Sequence, residues 1–165
     1  MKTIFLDRDG ILNEERGNYT WKVDDFIIVE GVIEVLKELK KRGYILLVIT
    51  NQAGIAKGLY SRRDMKMCHD YFQEQSGNII SQFYYAPGHP SVSESFSRKP
   101  GTLLFEKAIA KYAIDPAQSW MIGDKERDLI PAKKLGINTI LLSKSSSTYA
   151  DYRVVDIREV PEIIS

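Results

Sequence analysis

The chain has 165 residues, 44% hydrophobic and 27% charged, which is the make-up of one globular unit able to bury a core without a disulfide or metal staple. Its 23 Lys and Arg against 22 Asp and Glu leave a net charge of +1, with no basic footprint for nonspecific nucleic-acid binding and no acidic tail. The lone cysteine, Cys68, excludes an internal disulfide framework and any four-cysteine metal site.

In chain order, Thr3 to Leu6 is a short apolar run ending in Asp7, and reads as a first strand. Residues 10 to 30 carry Gly17-Asn18 and no helical period, and are expected to form an irregular flap or hairpin. Val32, Val35, Leu36 and Leu39 fall on one face of a helix over 31–42, which Gly43 stops. Ile45 to Ile49 is apolar on both faces, the pattern of a central parallel strand covered from both sides. A helix follows over 61–75 with Ser61 as its N-cap, then a strand over 79–85.

Residues 86–100 hold three prolines and four serines and read as an exposed loop. Phe105, Ala108, Ile109 and Tyr112 mark a helix over 101–113. Trp120 to Ile122 is a strand running into Gly123-Asp124, residues 126–135 are a helix stopped by Gly136, and Thr139 to Leu142 is a further strand. Ser143 to Ser147 is a surface loop, and Tyr152 to Val155 an edge strand with a short helix after it. Strands alternating with helices predict an α/β fold: a three-layer αβα, doubly wound, mostly parallel sheet in one domain over 1–165, with no room for a large cap. The N-terminus reaches charge too early for a signal peptide. The longest clean apolar run, Tyr44 to Ile49, is six residues against the ~20 of a membrane helix, so a cytoplasmic chain with no membrane partner is expected.

In open parallel sheets ligands bind beyond the carboxyl ends of the strands. Asp7-Arg8-Asp9-Gly10 follow the first strand, Thr50-Asn51-Gln52-Ala53-Gly54 the second, and Gly123-Asp124-Lys125 the fourth, with Asp128 four residues beyond Asp124. Arg98-Lys99 precede the helix at 101–113. Clustered carboxylates raise one another's pKa, and a hard cation such as Mg²⁺ relieves that. A carboxylate can also be the nucleophile of phosphoryl transfer, with Lys99, the Thr50 hydroxyl and backbone N–H groups supplying positive charge and donors around the phosphoryl group.

These motifs, in this order and spacing, resemble the haloacid dehalogenase superfamily. Asp7-Arg8-Asp9-Gly10-Ile11-Leu12-Asn13, Thr50 through Gly58, Arg98-Lys99-Pro100-Gly101 and Gly123-Asp124-Lys125 are similar to its branch of heptose-bisphosphate and histidinol-phosphate phosphatases, over roughly residues 1–143. The resemblance implies a Rossmann-like fold and a Mg²⁺-dependent phosphomonoesterase that works through an aspartyl phosphate. Asp7 would be the nucleophile and Asp9 the general acid and base. Mg²⁺ would be held by the carboxylates of Asp7 and Asp124 and the main-chain carbonyl of Asp9. Thr50, Asn51 and Lys99 would hold the phosphate, Arg98 would contact the rest of the substrate, and Lys125 and Asp128 would orient the site.

Members of the branch commonly carry zinc in the loop before the Arg-Lys-Pro motif. The matching positions here are Ala86, Gly88, Ser95 and Ser97, none of them a ligand, and His89 alone cannot supply a four-coordinate site, so no zinc is expected. The expected substrate is a small phosphate ester, first a heptose bisphosphate and next histidinol phosphate, and the enzyme is expected to be a monomer. A nucleic-acid 3′-phosphatase shares the Thr50-Asn51-Gln52 and Arg98-Lys99-Pro100 motifs, but the near-neutral charge argues against it. A phospho-accepting receiver domain needs an Asp after the third strand, where 84–88 hold none, and a non-catalytic homologue would not need every key residue. Asp128 on a solvated helix face, Cys68 as inert core, and Arg62, Arg63 and Lys66 as a solvated surface are the plainer readings of those residues.

Overall fold

The computed structural model describes residues 1–89 and 96–165. Among these, β1 (Thr3–Leu6), β2 (Ile45–Asn51), β3 (Gln82–Ala86), β4 (Trp120–Gly123), β5 (Asn138–Leu142) and β6 (Tyr152–Val154) form one sheet in the order β3-β2-β1-β4-β5-β6. Every pairing is parallel. The helices are α1 (Val32–Lys41), α2 (Arg62–Ser76), α3 (Leu103–Tyr112), α4 (Glu126–Lys134) and the short α5 (Val160–Ile163).

The period-2 alternation of the strands sorts the core into two layers. Ile4, Leu6, Leu46 and Val48 face one side with Val32, Val35, Leu36 and Leu39 of α1 and Phe72 of α2. Phe5, Leu47 and Ile49 face the other with Leu104, Phe105 and Ala108 of α3 and Leu129 of α4. The rings of Phe5 and Phe105 lie 5.2 Å apart across that second layer. This is the expected αβα sandwich. No helix among the described residues is long and apolar enough to cross a membrane.

Ser61 caps α2 through a reciprocal box: its hydroxyl accepts from the Asp64 N–H, and the Asp64 carboxylate accepts from the Ser61 N–H. Cys68 is fully buried within the first layer, and Arg62, Arg63 and Lys66 are exposed. The third strand differs from its sequence reading. Ile79 and Ile80 are buried as a strand would bury them, but they lie ahead of β3, after Asn78 has turned the chain with a φ of 56°. The Gln73 amide satisfies Ile80 from both sides, donating to its carbonyl and accepting from its N–H, so Ile80 needs no ladder. Residues 10–30 form an irregular flap whose ends pair antiparallel, the Glu14 N–H donating to the Ile27 carbonyl at 2.8 Å and the Val29 N–H to the Leu12 carbonyl at 3.0 Å. Isolated bridges of Asn13 to Asp9 and Ile28 and a 3₁₀ turn at Val23–Asp25 organise it.

His69 lies inside this fold with its ring stacked on Phe83, 4.3 Å between centroids, and its Nε2 without a partner. Burial, and after it the Arg8 charge, lower its pKa from 6.5 to about 3. Between those values the unfolded chain holds a proton that the folded chain does not, so stability is lost as pH falls below 6.5. His69→Phe is expected to flatten this acid limb by up to about 1.4 kcal/mol per pH unit, measured as the difference between the two proteins in denaturant unfolding from pH 7 to pH 4.

Candidate active site

The strand order reverses between β1 and β4, and the carboxyl ends of these two neighbours carry Asp7 and Asp124. The Asp7 N–H donates to the Ile122 carbonyl at 3.1 Å, which ties the start of one motif to the strand that ends in the other. Gly10 lets them approach: it has φ +90°, and a Cβ there would lie 2.2 Å from Asp124 Oδ2. Gly123 does the same for α4, because its Cβ would meet Asp128 Cβ at 2.4 Å.

Asp7, Asp124 and Asp128 place carboxylate oxygens within 4.8 Å of one another. Lys99 Nζ enters from the loop before α3, with only 2% of the residue exposed. It donates to Asp128 Oδ1 at 2.6 Å, to the Ile49 carbonyl at 2.8 Å and to Asp7 Oδ1 at 2.9 Å. All three ammonium protons are thereby engaged. The loop over 86–100, read as exposed, thus ends in a buried lysine, because only a group shielded with the carboxylates can neutralise them. Asp128 is fully buried, its second oxygen accepting from the Lys125 main-chain N–H at 3.2 Å. The solvated-face reading of Asp128 is excluded.

Burial, and then the charge of Asp128, push the Asp7 carboxyl up to about 6 against the pull of Lys99. Burial, Asp7 and Asp128 push Asp124 up to about 8. Burial opposes the charge of Lys99, but Asp128 and Asp7 outweigh it and hold the lysine protonated. The cluster carries three carboxylates for one ammonium, and Asp124 Oδ1 is buried with no hydrogen-bond partner. A hard divalent cation such as Mg²⁺ fits this donor set, since it takes oxygen ligands and matches the remaining charge.

Asp9 is held differently. Its Oδ1 accepts from Arg8 Nη2 at 2.8 Å and from Asn13 Nδ2 at 3.0 Å. Burial alone would raise its pKa, but the Arg8 guanidinium and these hydrogen bonds hold it below the usual carboxylate range. Among the described residues, Oδ2 has a single long bond, from Gln52 Nε2 at 3.5 Å. Arg8 Nη2 also donates to the Thr20 carbonyl at 2.6 Å, so the same guanidinium pins the flap.

Asn51 exchanges two hydrogen bonds with the main chain of Lys99, at 2.9 and 3.2 Å, and so fastens that loop to the end of β2. The Thr50 hydroxyl accepts from Gln52 Nε2 at 3.0 Å, while Tyr60 donates to Gln52 Oε1 at 2.6 Å and fixes the amide's orientation. Lys125 reaches Glu15 of the flap at 3.5 Å. Asp7, Asp9, Asn51, Gln52, Tyr60, Lys125 and Arg127 line one cavity of about 360 Å³, floored by the strand ends and roofed by Glu15 and residues 17–20 of the flap. Gln52 and Arg8 lie inside the sequence motifs but carry no signal of their own. Tyr60 and Arg127 are found only by the fold, since a lone arginine in a helix reads as a solvated charge.

A family model described as HAD-hydrolase-like matches residues 96–161. The D-glycero-beta-D-manno-heptose-1,7-bisphosphate 7-phosphatase of Haemophilus ducreyi is 39% identical over 153 residues, covering 87% of this chain and 84% of that protein. The Haemophilus influenzae protein of the same name is 36% identical over 179 residues, covering 99% and 96%. The crystal structure of D,D-heptose 1,7-bisphosphate phosphatase from B. bronchiseptica, complexed with magnesium and phosphate, superposes with a TM-score of 0.90 over 99% of this chain and 97% of that one, and at 23% identity speaks for the fold. Fold and relatives together define a phosphoric monoester hydrolase with the haloacid dehalogenase-like architecture. The chain belongs to the heptose-1,7-bisphosphate 7-phosphatase branch of that superfamily.

Gly10→Ala is expected to force Asp124 aside and strain the turn, lowering stability by roughly 1–3 kcal/mol and hydrolysis of p-nitrophenyl phosphate by at least about tenfold. Denaturant unfolding and steady-state kinetics of the purified variant check both.

Proposed function

We propose that the chain hydrolyses D-glycero-D-manno-heptose 1,7-bisphosphate, with Asp7 as nucleophile. The observation that carries this reading is the Asp7 carboxylate, fixed by Lys99 at the floor of a cavity that is sized for a small phosphate ester. The names of the relatives supply the substrate.

Asp7 attacks phosphorus, and the P–O bond to the sugar breaks. Asp9, which must take up a proton against the hold of Arg8 before this step, gives it to the leaving oxygen, then takes one from the water that attacks the aspartyl phosphate; phosphate leaves and Asp7 is restored. Oδ2 is the oxygen of Asp9 suited to this exchange, since Arg8 and Asn13 occupy Oδ1. The hold of Arg8 favours the ionised form that deprotonates water. The Thr50 hydroxyl accepts from Gln52 and donates to the Asn51 carbonyl at 3.3 Å, a long bond from which its proton would turn to the phosphoryl group. Asn51 and Arg98 complete the phosphate and substrate contacts, Lys99 offsets charge beside the nucleophile, and Lys125 and Asp128 orient the wall. Held by the carboxylates of Asp7 and Asp124 and the main-chain carbonyl of Asp9, Mg²⁺ would supply charge neutralisation at the transferring phosphoryl group.

We also propose that the loop before Arg98 needs no zinc. Ala86, Gly88 and Ser97 bring no zinc-ligand side chain, and neither does Ser95, which lies outside the described residues. Metal analysis of protein purified without added zinc is expected to find none; about one zinc per chain would overturn this.

Phosphate release is to be measured with the heptose bisphosphate, histidinol phosphate and a 3′-phosphorylated oligonucleotide. Turnover of the first is expected to exceed the others, to vanish on chelation of divalent cations and to return with Mg²⁺. Asp7→Asn is expected to fall by a factor of at least about 10³. Undiminished turnover in that variant defeats the nucleophile assignment, and a preference for another substrate defeats the heptose assignment.

A further inference from the structure

Gln52 joins two groups of the mechanism to one that the mechanism leaves unused. Its amide nitrogen donates to the Thr50 hydroxyl at 3.0 Å and reaches Asp9 Oδ2 at 3.5 Å. Its amide oxygen accepts from the Tyr60 hydroxyl at 2.6 Å. Thr50, Gln52 and Tyr60 are all buried. The ring of Tyr60 is held in place by its neighbours. Gly54 makes room for it, since a Cβ there would lie 2.1 Å from Tyr60 Cε1. Trp21 of the flap stacks on it, with centroids 6.2 Å apart and planes 9° apart.

The two ends of an amide have nearly the same shape, so hydrogen-bond partners decide which way it faces. Thr50 does not decide, because a hydroxyl can accept from the nitrogen or donate to the oxygen. The bond to Asp9 is long and decides weakly. The Tyr60 hydroxyl does decide. Its short bond gives a proton to the oxygen, and turning the amide over would leave that buried proton without this acceptor. The consequence falls on Thr50. Facing the nitrogen, its oxygen accepts, and its proton rests on the long 3.3 Å bond to the Asn51 carbonyl, from which it can turn to a phosphoryl group. Facing the oxygen, it would give that proton to Gln52.

We infer that Tyr60 is a positioning residue for phosphoryl transfer: by fixing the Gln52 amide it keeps the Thr50 proton for the phosphoryl group. It acts through Gln52 and not on the leaving group. This rests on the phosphatase reading above and adds to it a residue outside the motifs that carry that reading.

The test is a double-mutant cycle of Tyr60→Phe, which removes the hydroxyl and keeps the ring, and Gln52→Met, which removes the amide and keeps its length. Each is assayed with Mg²⁺ on p-nitrophenyl phosphate and on the heptose 1,7-bisphosphate. Tyr60→Phe is expected to lower kcat about tenfold on both substrates and to leave KM within about twofold. In the Gln52→Met background the same substitution is expected to change kcat less than about twofold. Orthovanadate, which imitates the phosphoryl group in transfer, is expected to bind Tyr60→Phe about tenfold more weakly by calorimetry, a readout without turnover. Gln52→Glu keeps Tyr60 and presents an acceptor to both hydroxyls, and is expected to lower kcat at least about tenfold; it decides the matter if Tyr60→Phe does not fold, and an intact kcat would overturn the inference. A Tyr60→Phe loss carried by KM or confined to the heptose bisphosphate would make Tyr60 a substrate contact, and a loss undiminished in the Gln52→Met background would make it merely structural; either overturns the inference. If the wild type cleaves p-nitrophenyl phosphate but not the heptose bisphosphate, the substrate assignment fails while kcat on p-nitrophenyl phosphate still decides the role of Tyr60. If it cleaves neither, the phosphatase reading fails and this inference with it.

Discussion

Lys99 is a full positive charge taken almost completely out of water, and it rests on two carboxylates and one carbonyl. Removing an ion from water costs several kcal/mol, and only close, well-directed partners offset it. Those partners come from three places: Asp7 from the end of β1, the Ile49 carbonyl from within β2, and Asp128 from the first turn of α4. The lysine can therefore be satisfied only when both strands, the loop before α3 and α4 are all in place. Asn51 reinforces the arrangement by holding the Lys99 main chain.

The same junction explains why the site leaves a charge unbalanced. One lysine cannot neutralise Asp7, Asp124 and Asp128, and the carboxyls of Asp7 and Asp124 are driven up to about 6 and about 8 by burial and mutual repulsion. The scaffold thus gathers carboxylates that it does not itself compensate and that take up protons more readily for it, next to a cavity bordered by Lys125 and Arg127. Anionic floor and cationic rim suit a cation and a phosphate taken up together. The flap completes the enclosure. Arg8 holds it by the Thr20 carbonyl while also holding Asp9, so the wall of the pocket and the charge state of Asp9 share one anchor.

Much of this was legible in the sequence because it is local. Two-sided apolar runs mark buried parallel strands, and the i, i+3, i+4, i+7 pattern of Val32, Val35, Leu36 and Leu39 marks a helix whose buried residues are those four. Ser61 with Asp64 three residues on announces a capping box. Where legibility failed, a distant partner had replaced a local one. Ile79 and Ile80 look like strand because they are apolar, yet the Gln73 side chain takes over the hydrogen bonds of Ile80 and the Ile79 carbonyl accepts from Lys40 Nζ. The loop over 86–100 looks exposed because it is rich in proline and serine, yet Lys99 at its end is buried by carboxylates that lie 92 and 29 residues away.

The sequence by itself determined which residues stand at the strand ends: Asp7 and Asp9, Thr50 and Asn51, Asp124 and Asp128. Strand patterning places them and chain order keeps them there. It could not determine which of them touch. The tertiary structure alone decided that Lys99 lies between Asp7 and Asp128, that Asp9 belongs to Arg8 rather than to the carboxylate cluster, and that Arg127 lines the cavity. The physical reason is range: periodicity is written over a few neighbours, whereas a buried charge finds its partner across the whole fold.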